Sequence, residues 1–273
     1  MGGSAVVLGW GLGLALLLLL LVAAGSATLG QLGVGGQVVL ASLRAVAQLA
    51  AVSWVIVFVA RSLWLSALFV LLMFSVGSWT SSRRLSRRGG GRAAWMPIAA
   101  GSAPVLAVVL ACGAVPLTGI AIVPIAGIII GGAMTVTSLA GRRALDELAT
   151  RHGEYEAGLS LGLLERDAAM EICRPAATQA LVPPLDQTRT VGLVTLPGAF
   201  VGVLLGSGNP VQAGAAQLLV LIGLLAAEVV AVLLTLEMVA RGRIRRPPEG
   251  AAGRGWRLLA IPSRMGWPRR GSG

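Results

Sequence analysis

Seven apolar runs follow one another along this chain, separated by short polar, glycine- or proline-bearing breaks. The first covers roughly Ala5–Ala24, the second about Val38–Ala60 and the third about Leu63–Trp79. The fourth covers about Trp95–Val115 and the fifth about Gly119–Ala140. A long polar stretch, Gly141–Arg189, precedes a short sixth run, about Thr190–Gly206, and a seventh, about Gly214–Ala240. A helix of about 20 apolar residues crosses the roughly 30 Å hydrocarbon core of a bilayer. The pattern therefore predicts an all-α polytopic integral membrane protein with about seven transmembrane helices. Arg61 and Ser62 make a tight turn between the second and third runs. Pro116 breaks the fourth from the fifth, and Gly208-Asn209-Pro210 is a turn signal.

Composition agrees with a bilayer as solvent. Hydrophobic residues make up 56% of the 273 positions and charged residues 12%, against about 25% charged in a soluble domain. The 38 glycines suit close helix packing in lipid. The net charge is +11, and all 22 basic residues are Arg. They sit in segments flanking the apolar runs, so they report topology, and nucleic-acid binding is not expected. The 81–92 loop (Arg83, Arg84, Arg87, Arg88, Arg92), the 141–189 segment and the C-terminal region carry 5, 6 and 9 Arg, 20 of the 22. Placing all three inside satisfies the positive-inside rule. It puts the N-terminus outside and the C-terminus in the cytoplasm, for a multi-pass protein of the inner (plasma) membrane. A cleaved signal peptide needs a basic n-region; residues before Leu14 hold no Arg or Lys, so the first run is expected to stay as a span. The tail from Arg241 is Arg-, Gly- and Pro-rich, and residues 247–273 are expected to be disordered.

The 141–189 segment holds eight of the eleven acidic residues and is too long for a simple connection. Leu145, Leu148, Leu159, Leu163 and Leu164 among its charges predict amphipathic helices that dock on something. It reads Glu156-Ala157-Gly158-Leu159-Ser160-Leu161-Gly162, then nine residues, then Ile172-Cys173-Arg174-Pro175. This resembles the EAA loop of ABC-transporter permeases, with Gly158 for the second Ala and Arg174 for a Leu. The resemblance implies a short helix, ended by a Gly turn, that fits a groove on an ATPase subunit.

Three further stretches resemble the FetB-type permease family. They are Arg44-x3-Gln48; Val123-Pro124-Ile125-Ala126-Gly127-x3-Gly131-x-Ala133-Met134; and Leu159 to Gly162 through Ala180-Leu181-Val182-Pro183 to Asp186-x3-Thr190-Val191-Gly192-Leu193-Val194-x-Leu196-Pro197-Gly198. They lie in order over roughly residues 38–240. The resemblance implies a permease domain over residues 1–246, exporting iron or another metal ion. It implies a separate FetA-like ATP-binding subunit that holds ATP and Mg, no cofactor on this chain, and a homodimer in the lipid membrane. It places Arg44, Gln48, Pro124, Gly127, Gly131, Asp186 and Pro197 on the transport pathway. The family usually has Asn where this chain has Gly132, so the cargo can differ; plant relatives are linked to aluminium tolerance and nucleotide-sugar export.

Glu228 lies near the middle of the seventh run. Such a carboxylate costs roughly +2.5 to +3.5 kcal/mol on insertion scales. It must face a cavity, pair with a base or be protonated, and a role in cation or proton handling follows. Gly198, Gly202 and Gly206 share one helix face, either for a dimer contact or for packing within one subunit. Pro124 and Pro197 are expected to kink their spans. No metal-ligand set is legible: His152 is the only His, and Cys112 and Cys173 have no CxxC spacing. No Walker A or HExxH pattern occurs, so the chain is expected not to be an enzyme. A proton-coupled secondary carrier and ABC export of an organic cargo remain the alternatives.

Overall fold

The computed structural model describes residues 9–59, 61–85 and 92–245. Its α-helices are α1 (Trp10–Leu29), α2 (Gly35–Val59), α3 (Leu63–Leu85), α4 (Trp95–Ala111), α5 (Gly119–Thr150), α6 (His152–Ser160), α7 (Glu165–Thr178), α8 (Val182–Thr190), α9 (Gly198–Ser207) and α10 (Pro210–Ala240). Two 3-10 turns, Arg92–Ala94 and Gln179–Leu181, complete the set. Among the described residues there is no β-strand, only an isolated bridge between Val191 and Thr195. Arg87, Arg88 and the Gly89–Gly91 run, the first residues of the first run, and the 247–273 tail lie outside the described residues.

Five helices, α1, α2, α3, α5 and α10, are long and apolar enough to cross a membrane. The fourth and sixth runs yield the shorter apolar helices α4, of 17 residues, and α9, of 10. At 1.5 Å per residue these reach about 26 Å and 15 Å. The sixth run departs most from expectation. Thr190–Pro197 is a turn, closed by Gly192 N–H donating to the Thr195 carbonyl at 2.9 Å, with Gly192 at φ +82°. Pro197 does not kink a span; it is the extended residue just before α9. The turn signal at 208–210 holds. Gly208 at φ +67° closes α9, and the Asn209 side chain accepts from the Val211 and Gln212 amides at 3.0 and 3.2 Å. Pro210 then occupies the first turn of α10, where a missing N–H costs nothing.

The core is α3, α4, α5 and α10. Ser138 on α5 bonds to Ser81 on α3 at 3.0 Å, and Gly127, Gly141 and their α3 neighbours Met73 and Leu85 flank that pair in the same order. Positions rise together, so α3 and α5 run parallel. Gly132 meets Leu224 and Glu228, and Gly141 meets Thr235, so α10 also runs parallel to α5. Gly101 meets Ala227 and Val105 meets Gly223, so α4 runs antiparallel to α10. Small residues at these crossings let backbones close up, which lipid-solvated helices rely on in place of a hydrophobic drive. α1 and α2 pack on each other at the periphery and leave most of their apolar side chains exposed.

Candidate functional site

Two residues that stand out in the sequence meet in the structure. Glu228 is 5% exposed, and its Oε2 has no hydrogen-bond partner. It faces α5 at Gly132, where an added Cβ would stand 2.8 Å from Glu228 Oε1 and 3.4 Å from Leu224 Cγ. A side chain at 132 would displace the carboxyl group, so Gly132 is what admits Glu228 to the α5–α10 seam. On the other flank Gly101 of α4 packs against Ala227. Thr137 Oγ1 on α5 is a second buried oxygen without a partner. Among the described residues Glu228 makes no ion pair, and Arg44 lies exposed on α2 with Gln48 one turn on. An unpaired carboxyl in so tight a seam is the chemical feature of the membrane core.

The other residues expected on a transport pathway scatter. Gly127 and Gly131 open onto an apolar groove of about 340 Å³ between α2, α3 and α5, with Val52, Phe69, Met73 and Met134 also on its walls. Pro124 is exposed one turn above. Asp186 is on α8, exposed and paired with Arg189 at 3.3 Å. Around Gly198, Gly202 and Gly206 an added Cβ would meet nothing within 4 Å. That stripe therefore makes no close packing within the subunit. Among the described residues no three His, Cys, Asp or Glu side chains are grouped to hold a metal ion.

The 141–189 segment forms helices as its leucine pattern predicts. α5 runs on through Thr150, and α6 follows after Arg151. Arg151 holds Glu154, with Nε donating to Oε1 at 2.8 Å, and this keeps the Glu154 carboxyl below its usual range. His152 Nε2 lies 3.3 Å from Glu156, and the Ser160 hydroxyl donates to the Glu156 carbonyl at 2.9 Å. Ala157 is exposed and Leu159 half-buried. The helix stops at Gly162, whose φ of +91° suits glycine. The turn holds out Leu161, 85% exposed, and Leu164, 71% exposed.

Both departures from the EAA pattern have a physical setting. A Cβ at Gly158 would stand 3.3 Å from Ala168 Cβ and 3.4 Å from Leu163 Cδ1, so glycine is where α6 closes on α7. Arg174 is on the exposed face of α7, whereas Ile172 is buried.

α7 turns Ala168, Ala169, Ile172, Cys173 and Ala177 inward, onto the C-terminal parts of α5 and α10. Cys173 Sγ donates to the Ala144 carbonyl at 3.4 Å, and burial pushes its thiol up to about 11. At the start of α7, Arg166 grips Glu237 on the last turn of α10, Nε to Oε1 at 2.8 Å and Nη2 to Oε2 at 2.7 Å. Arg166 Nη1 also donates to Asp167 at 2.8 Å, and Arg241 Nε to Glu237 at 2.6 Å. The pair is 71 residues apart in sequence, and no spacing in the chain announces it.

Residues 10–243 match the family described as Uncharacterised protein family (UPF0014). The chain is 32% identical over 208 residues to the UPF0014 membrane protein STAR2 of Oryza sativa subsp. japonica, covering 75% of this chain and 73% of that one. It is 30% identical over 194 residues to Protein ALUMINUM SENSITIVE 3 of Arabidopsis thaliana, covering 70% and 71%. It is 29% identical over 180 residues to the Probable iron export permease protein FetB of Escherichia coli (strain K12), covering 65% and 70%. No solved structure matches.

Proposed function

The chain belongs to the uncharacterised protein family UPF0014, and from that premise we propose that it is the membrane-spanning permease subunit of an ABC-type transporter in the cell's inner membrane. Its cargo is iron or another metal ion, moved outward, and hydrolysis of ATP-Mg takes place on a separate FetA-like subunit. Two copies of the chain form the pathway, with seven crossings each and the coupling segment in the cytoplasm. A relative named as a probable iron export permease supports this reading.

The observation that carries it is the α6–Gly162 turn. A short helix ended by a left-handed glycine presents two exposed leucines beside acidic side chains. A knob of that kind, on a segment packed against two long helices, is what an ATPase needs as a handle. Co-purification tests it. The chain is expected to bring down an ATP-binding subunit, and Gly162→Val is expected to release it, because a β-branched residue resists φ > 0. Equal recovery by both chains refutes the coupling role.

A second reading has one observation in its favour. Glu228 is a buried, unpaired carboxyl group, as a proton-coupled carrier requires. Transport that persists in vesicles without ATP, driven by a proton gradient, selects that reading over the first.

A further inference from the structure

We propose that the Arg166–Glu237 fork is the positioning link that carries displacement of the coupling turn to the helix bearing Glu228. The inference rests on the ATP-driven reading above. Arg166 is two residues past Leu164, the exposed end of the turn, so motion there reaches it first. Glu237 is nine residues from Glu228 on the same unbroken helix, about 13 Å along its axis.

Apart from the long Cys173 Sγ bond to the Ala144 carbonyl at 3.4 Å, the buried face of α7 is small or apolar side chains, and apolar burial has no direction. Alanines packed on helix ends can slide. Two parallel charge-assisted hydrogen bonds at 2.8 and 2.7 Å fix direction as well as distance. The fork is not needed to hold the fold. Arg166 is 45% exposed and Glu237 21%, and exposed ion pairs add little stability. Removal of Arg166 leaves Glu237 paired with Arg241, so no carboxylate is stranded.

The test reads the seam itself and needs no knowledge of the cargo. A single cysteine replaces Leu224, beside Gly132, in a chain carrying Cys112→Ala and Cys173→Ala. Its maleimide labelling is followed in the complex with the ATP-binding subunit, with and without ATP. With the fork intact, ATP changes the labelling rate. Arg166→Gln or Glu237→Gln is expected to shrink that response by about fivefold or more, while recovery of the ATPase subunit and its hydrolysis persist. The double variant is expected to lose no more than either single one, since each removes the whole link. A full response in Arg166→Gln, or additive losses in the double variant, overturns the link. If the parent chain recovers no ATPase subunit or shows no ATP response, the ATP-driven reading itself fails and the link falls with it.

Discussion

Gly101 and Gly132 flank Glu228 from opposite helices, yet alanine at the two positions should fail in different ways. At Gly101 an added Cβ falls on the Ala227 carbonyl oxygen and stands 3.2 Å from both Ala227 C and Ala231 Cβ. Those atoms are backbone or bound directly to it, so no rotamer relieves the clash. The α4–α10 seam must open by about 1 Å to restore contacts of 3.5–4.0 Å. A gap of that size forfeits a quarter to a half of each dispersion contact, and overpacking of this kind costs about 1–3 kcal/mol. Alanine recovers about 1 kcal/mol of helix propensity over glycine, so Gly101→Ala should destabilise by about 2 kcal/mol net at the upper end of that cost. At Gly132 the obstructing atoms are the ends of Leu224 and Glu228, which can rotate away, so stability should change by less than about 1 kcal/mol while the carboxyl group is displaced. Reversible unfolding in mixed micelles measures the first effect and vesicle transport the second. Gly101→Ala stabilising the protein, or Gly132→Ala costing more than Gly101→Ala, refutes the reasoning.

Four further outcomes follow from the same geometry. Glu228→Gln keeps the shape but removes the charge, and should abolish or re-tune transport at unchanged folded yield; unchanged transport and unchanged growth protection would sink its role. Gly162→Ala should cost about 1–2 kcal/mol in the left-handed region and weaken recovery of the ATPase subunit by about 5- to 30-fold. Asn209→Ala removes the α10 cap and should lower stability by about 1 kcal/mol, read in the same unfolding titration. Cys112 should label with maleimide in the folded protein at pH 8 and Cys173 should not, since burial raises its thiol to about 11. The folded state binds the Cys173 proton more tightly than the unfolded chain. Its contribution to stability is therefore complete below the ordinary thiol range near pH 9 and fades as pH rises through about 11; labelling of Cys173 in the native protein at pH 8 contradicts this.

Much of this was legible because a bilayer makes hydropathy close to a direct readout of helices. The second, third, fifth and seventh runs became α2, α3, α5 and α10 with ends displaced by a few residues, except that α5 runs ten residues past Ala140 into the polar segment. Hydropathy falls where the lipid ends; the helix ends where Arg151 caps it, and one does not determine the other. Glu228 and Gly132 were each conspicuous alone, but their meeting depends on the register of two helices 96 positions apart, which no local pattern encodes. The Arg166–Glu237 fork was hidden for the same reason. The sixth run misled because Thr190–Pro197 is as apolar as a helix, while Gly192 and Pro197 dictate a turn.

That turn leaves a helix end to be accounted for. Pro197 has no side chain to cap α9, and the first amides of any helix lack partners within it. Water at a surface would serve them, but Phe200 N–H donates instead to Gln217 Oε1 at 3.1 Å, and Gln217 is 5% exposed. Gln217 is seven residues into α10, about 10 Å from its N-terminal end. α9 thus begins beside the body of α10 and not at its N-terminal end, with a buried neighbouring side chain standing in for solvent at its first turn. Gln217→Leu keeps an apolar side chain in the seam but strands the amide, and should cost about 1–3 kcal/mol. Gln217→Glu, which retains an acceptor, should preserve more of the α9 contact. Hydrogen exchange at Phe200 reads the difference directly: the amide is expected to be protected in the parent and to lose that protection in Gln217→Leu, and equal protection in both would mean that the Gln217 bond is not what satisfies it.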